Sequence, residues 1–69
     1  MTNTNVLQGK IREKHMTLQS LADKVGLTRT GLFNKIHNIR EFSVSEMLAV
    51  SECLALSSAE RELIFFANV

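Results

Sequence analysis

The chain has 69 residues, 45% of them apolar, one cysteine, no proline and a formal net charge of +1. That length holds a single domain, and the lone Cys53 excludes an internal disulfide, so packed apolar side chains must supply the core. The total charge hides a split: residues 1–40 carry seven Lys and Arg against two acids, residues 41–69 one Arg against five Glu.

Helix signals dominate the chain, and strand alternation is nowhere sustained. A first helix is expected over about residues 4–15, with Val6, Leu7 and Ile11 as its apolar stripe. Gly9 inside it costs about 1 kcal/mol relative to Ala and suggests a close helix contact. Thr17 is a good N-cap for a second helix over about 18–25, whose Leu18, Leu21, Ala22 and Val25 repeat at one buried face. Gly26 follows, where a helix stop needs positive φ.

Thr28 caps a third helix that runs to about Asn38, with Leu32 and Ile36 inward. Ile39 and Phe42, in the loop that follows, are expected to plug the core. Ser43-x-x-Glu46 is a capping box opening a fourth helix to about Leu54, and Ser57-x-x-Glu60 opens a fifth to about Ala67. Val44, Met47, Leu48, Val50 and Leu54 are the apolar positions of the fourth. Leu63, Ile64, Phe65 and Phe66 crowd the fifth, too many for one stripe, so part of its surface is expected to stay exposed. The expected fold class is all-α: a compact five-helix domain in one unit, residues 1–69.

Residues 17–38 carry the functional signal. Two short helices meet at a tight turn, with small Ala22 where they cross and Gly26 four residues on. Leu21, Val25, Leu27, Leu32 and Ile36 supply a shared apolar seam. This is the helix-turn-helix pattern of DNA-binding domains. The basic first half agrees with it, since a cationic face meets an anionic partner.

The chain resembles the small Cro- and repressor-type helix-turn-helix regulators of temperate phages, with a lambda-repressor-like fold. The likeness covers nearly the whole length: an L-Q-G-K-I start, an L-A-D-K-V-G-L-T turn and an E-R-E-L-I-F-F-A end, similar to short regulators of Gram-positive prophages. It implies control of a lysis–lysogeny switch by operator binding, commonly as a homodimer. Some small relatives instead bind the cognate phage repressor and modulate it. The resemblance puts base reading on Arg29, Thr30, Phe33 and Asn34. Arg29 would suit guanine, Asn34 adenine, and Thr30 a phosphate or thymine methyl. Lys10, Lys24, Lys35 and Arg40 are candidates for phosphate, with Thr28 and the first amides of the second and third helices.

Two positions depart from that pattern. Leu18 stands where many members carry a phosphate-contacting Gln, and Gln19 is one place off. Phe33 puts an aromatic at a reading position, where it suits a thymine methyl, a protein partner or the core. Arg29, Phe33 and His37 recur at four-residue steps as one stripe for either partner, and Gly31 beside them leaves room for close approach.

Plainer readings stand beside these. Lys10, Arg12 and Lys14 suit a solvated helix face, Cys53 a small buried hydrophobe, and the Leu63–Phe66 cluster core or a dimer seam. His15, His37 and Cys53 lie on separate helices without ligand spacing, so no metal is expected. No Gly-rich phosphate loop or nucleophile–His–acid arrangement appears, and the chain is too short to enclose a pocket. An enzyme, a cofactor and a small-molecule substrate are therefore not expected. The longest apolar run, Leu63 to Ala67, is too short to span a bilayer, and MTNTN lacks the features of a leader. The expected compartment is the bacterial host's cytoplasm.

Overall fold

A computed structural model describes residues 1–66. Within them lie five helices and no strand: α1 (Thr4–Glu13), α2 (Leu18–Val25), α3 (Arg29–Ile36), α4 (Val44–Cys53) and α5 (Ser58–Phe65). Each begins on a side chain that accepts a hydrogen bond from an otherwise unpaired amide: Asn3, Thr17, Thr28, Ser43 and Ser57. Ser43–Glu46 and Ser57–Glu60 form the reciprocal capping boxes that their spacing predicts. Thr17 forms a third, with Ser20 in the returning position.

The helix ends fall earlier than expected for α1 and α3. Both stop where one residue turns left-handed, His15 at φ 56° and Asn38 at φ 63°. The next amide then bonds five residues back, Met16 to the Ile11 carbonyl and Ile39 to that of Asn34. Gly26 and Ala55 stop α2 and α4 in the same way, through Leu27 to Ala22 and Leu56 to Ser51. Only Gly26 takes that conformation without a Cβ penalty. The expected end of α5 at Ala67 lies outside the described residues.

The core draws on every helix: Leu7 and Ile11, Leu21 and Ala22, Leu32 and Ile36, Val50 and Leu54, and Ile64 and Phe65. Phe42 enters from the α3–α4 loop and meets Phe65 edge to face, with ring centroids 5.4 Å apart. Each fully buried leucine contributes about 1.5–3 kcal/mol of burial, which is how five short helices hold one another. α2 packs on both α3 and α4, and α1 on α3 and α5.

Several apolar residues face elsewhere than expected. Ile39 is 66% exposed and does not plug the core, because the turn at Asn38 carries it outward. Val44 is 71% exposed and Leu48 50%, so only Val50, Leu54 and half-buried Met47 of the α4 positions face inward. Ser51 takes an inward place on that helix, its hydroxyl donating to the Met47 carbonyl at 2.7 Å. Cys53 is half-buried. Gly9 has no neighbour that a Cβ would meet, so it marks no close helix contact. Leu63 and Phe66 are partly exposed, as the crowding of α5 predicts.

Among the described residues no helix is long and apolar enough to cross a membrane.

Candidate nucleic-acid and protein interface

α3 is fixed at both ends. At its start the Gly31 amide donates to the Thr28 hydroxyl at 3.0 Å. A Cβ at Gly31 would stand 2.9 Å from that hydroxyl oxygen, so the close neighbour of Gly31 is its own cap. The cap uses this amide and leaves those of Arg29 and Thr30 at an exposed helix start.

At the other end three ties converge. The Thr4 hydroxyl donates to the Ile36 carbonyl at 2.7 Å. The Asn38 side chain brackets the N-terminal strap, accepting from the Thr2 amide at 2.8 Å and donating to the Thr2 carbonyl at 3.0 Å. Lys35 donates to both carboxylate oxygens of Glu46, at 2.5 and 2.6 Å. Glu46 thus serves two helices, capping α4 through Ser43 and holding the last turn of α3. The Lys35 ammonium, then the Ser43 amide, keep its carboxyl below the usual carboxylate range.

The first half of the chain meets the second in the same way at Lys10. This lysine pairs with Glu60, the capping-box glutamate of α5, and with Glu13 at 3.3 Å on its own helix. Lys10, followed by the Ser57 amide, lowers the Glu60 pKa to about 2, and Glu60 in turn raises that of Lys10 above 10.5. Two of the expected phosphate contacts, Lys10 and Lys35, are therefore engaged within the molecule. Arg12, Lys14, Lys24, Arg29 and Arg40 are exposed and form no ion pair among the described residues.

The residues expected to read bases fall on two sides of α3. At roughly 100° per residue, Thr30 and Asn34 lie opposite the buried Leu32 and Ile36. Thr30 is exposed; Asn34 is half-buried, and its carbonyl accepts from the Ile39 and Arg40 amides. Arg29, Phe33 and His37 form the flank turned toward α1. There they line an open groove of about 330 Å³, with Ile11, Met16, Leu18 and Ile36 as its apolar wall and Gln8 and Arg12 on the far rim. Phe33 is 45% exposed, so it is not a core residue. Its ring lies against His37, centroids 4.2 Å apart, and His37 Nε2 is 3.4 Å from Gln8 Nε2.

Sequence reasoning missed Gln8 and Met16, which reach the groove from α1 and from its connection to α2. No local pattern marks them. Leu18 turns out to have a place of its own: where a Gln would reach out to phosphate, an apolar side chain lines the groove. Among the described residues no group of three or more His, Cys, Asp or Glu stands ready to hold a metal ion.

No family model, curated protein or solved structure matches the chain.

Proposed function

We propose that the chain is a small phage-type transcriptional regulator, a lambda-repressor-like helix-turn-helix domain that binds operator DNA through α3. The carrying observation is the disposition of α3. It follows α2 across the left-handed Gly26, buries Leu32 and Ile36, and leaves Arg29 and Thr30 exposed at its start with half-buried Asn34 one turn on and no acid on the helix. Arg29 at the first turn supplies the fork that pairs with guanine in the major groove, and Lys24 and Arg40, in no ion pair among the described residues, are open to phosphate.

The test is a gel shift and anisotropy titration against the promoter region beside the gene. Binding is expected to weaken steeply with salt, with each phosphate contact adding about 0.9 to the slope. Arg29→Ala should cost about 1–3 kcal/mol and relax specificity. Lys24→Ala and Arg40→Ala should each lower the slope by about 1. The absence of any shift at low salt would sink the reading.

A second reading is favoured by one observation, the half-exposed Phe33 stacked on His37 beside an apolar groove. In it the chain modulates transcription by docking on a cognate phage repressor and blocking that protein's DNA contact. Co-purification with the repressor, lost on Phe33→Ala, supports it. Retention after that substitution removes the anchor.

A further inference from the structure

The groove between α1, the start of α2 and α3 carries a chemical specification of its own. Its wall is apolar: Ile11, Met16, Leu18, Phe33 and Ile36. Its rim holds two exposed arginines, Arg12 and Arg29, neither of them in an ion pair among the described residues. Among the described residues no carboxylate lines it. That contrasts with Lys10 and Lys35, which are paired with Glu13, Glu60 and Glu46.

From this complementarity we propose that the groove docks an acidic amphipathic helix of a protein partner, apolar side chains seated on Leu18 and Phe33 and carboxylates on Arg12 and Arg29. A helix presents side chains four residues apart on one face with charged ones between, which matches an apolar trough edged by cations. Duplex DNA matches it less well. It offers phosphates to the arginines, but its apolar surface is stacked inside, the thymine methyl excepted. Because Arg29 and Phe33 belong both to this groove and to the flank of the reading helix, an occupant excludes DNA from the start of α3. The proposal deepens the protein-binding reading by naming the chemistry of the bound segment.

The test uses the isotope-labelled full chain with neither repressor nor DNA present, so its result stays legible if either functional reading fails. The probe is a synthetic helical peptide of Glu and Ala bearing Leu and Phe four residues apart. Its twin has Ser at both anchor positions. The anchored peptide should shift the amide resonances of Met16, Leu18, Arg29 and Phe33 in a saturable way, and the Ser twin should bind at least tenfold more weakly. Arg12→Glu and Arg29→Glu, each with unchanged circular dichroism, should weaken binding at least tenfold, whereas Arg61→Glu on α5 should match the unaltered chain. Three results would overturn the proposal: no shift at millimolar peptide, equal binding of the Ser twin, or shifts centred on α5. In a separate titration of the same chain, duplex DNA that perturbs Met16 and Leu18 more than Thr30 and Asn34 would also overturn it, by assigning the groove to nucleic acid.

Discussion

In α4 and α5 the first-turn glutamates turn back onto the protein. Glu46 grips Lys35 and Glu60 grips Lys10 while each caps its own helix. In α1, α2 and α3 the cations gather near the last turns, and Arg12, Lys24, Arg29 and Arg40 point to solvent unpaired among the described residues. The first-turn glutamates and the last-turn Lys10, Arg12, Lys24 and Lys35 suit the helix dipole, which favours acids at helix starts and bases at helix ends, whereas Arg29 opens α3 against it. The two halves differ in where the charge is used. The acidic half neutralises part of the basic half and fixes the position of α3, so the surface left cationic is narrower than the sequence split suggests. Arg29 and Arg12 gain prominence, and Lys10 and Lys35 become positioning groups.

The largest expected effect asks whether the acidic half is a support or an appendage. Leu54, fully buried at the end of α4, packs into the shared core. Leu54→Ala should cost about 2–5 kcal/mol. Urea melts followed by circular dichroism and by an α3 resonance should move together in one transition. An α3 signal that outlasts the loss of α4 would separate the halves.

A smaller loss should follow from releasing the strap that ties α1 to the end of α3. Asn38→Ala removes three side-chain hydrogen bonds, two to Thr2 and a longer one to the Thr4 hydroxyl, and places alanine at a left-handed position, an expected cost of about 1–2 kcal/mol. Asn38→Gly restores the backbone conformation without the bonds, so the difference between the variants isolates the turn. Amide exchange at Thr2 and Thr4 is the readout.

Acid should loosen the contact between the halves. The Glu60 carboxyl titrates near 2 in the folded chain instead of 4.5, and that of Glu46 is also lowered. The stabilisation from Glu60 is therefore full above about pH 4.5 and disappears as pH falls toward 2, and that from Glu46 is lost in the same direction. Melting temperature should drop across that window, and Glu60→Gln should flatten its lower part. The raised Lys10 pKa has the opposite sense: its contribution is full below 10.5 and is lost as pH rises beyond the folded value. A flat acid profile would mean that these pairs do not join the halves.

The smallest effect is a gain. Ala55, exposed at φ 51°, stops α4 with a Cβ where glycine would have none. Ala55→Gly should stabilise by about 0.5–1 kcal/mol, the relieved strain exceeding the added freedom of the unfolded chain. Thermal melts compare it with Gly26→Ala, which should shift the other way.

How much was legible follows from the range of each interaction. The caps at Thr17, Thr28, Ser43 and Ser57 and the stop at Gly26 were readable because each is a bond or a φ angle set within a few residues. His15, Asn38 and Ala55 stop helices without a glycine, so the expected ends of α1 and α3 fell on His15 and Asn38, two residues beyond the observed ones. Apolar identity alone did not say that Val44, Leu48 and Ile39 face solvent while Ser51 faces in. For the interface, the stripe Arg29, Phe33 and His37 was written in its four-residue spacing. Gln8, Met16 and Leu18 joined it only because α1 and the start of α2 fold beside α3.

The sequence by itself determined five helix starts, one glycine turn, the apolar seam and the charge imbalance, since hydrogen bonds and periodicities of three to five residues decide them. Tertiary structure alone decided that Glu46 and Glu60 reach Lys35 and Lys10, that Asn38 holds Thr2, and that Arg12 and Arg29 edge one groove. Those meetings depend on how the helices cross, which is set by the packing of the whole core and by no short stretch of chain.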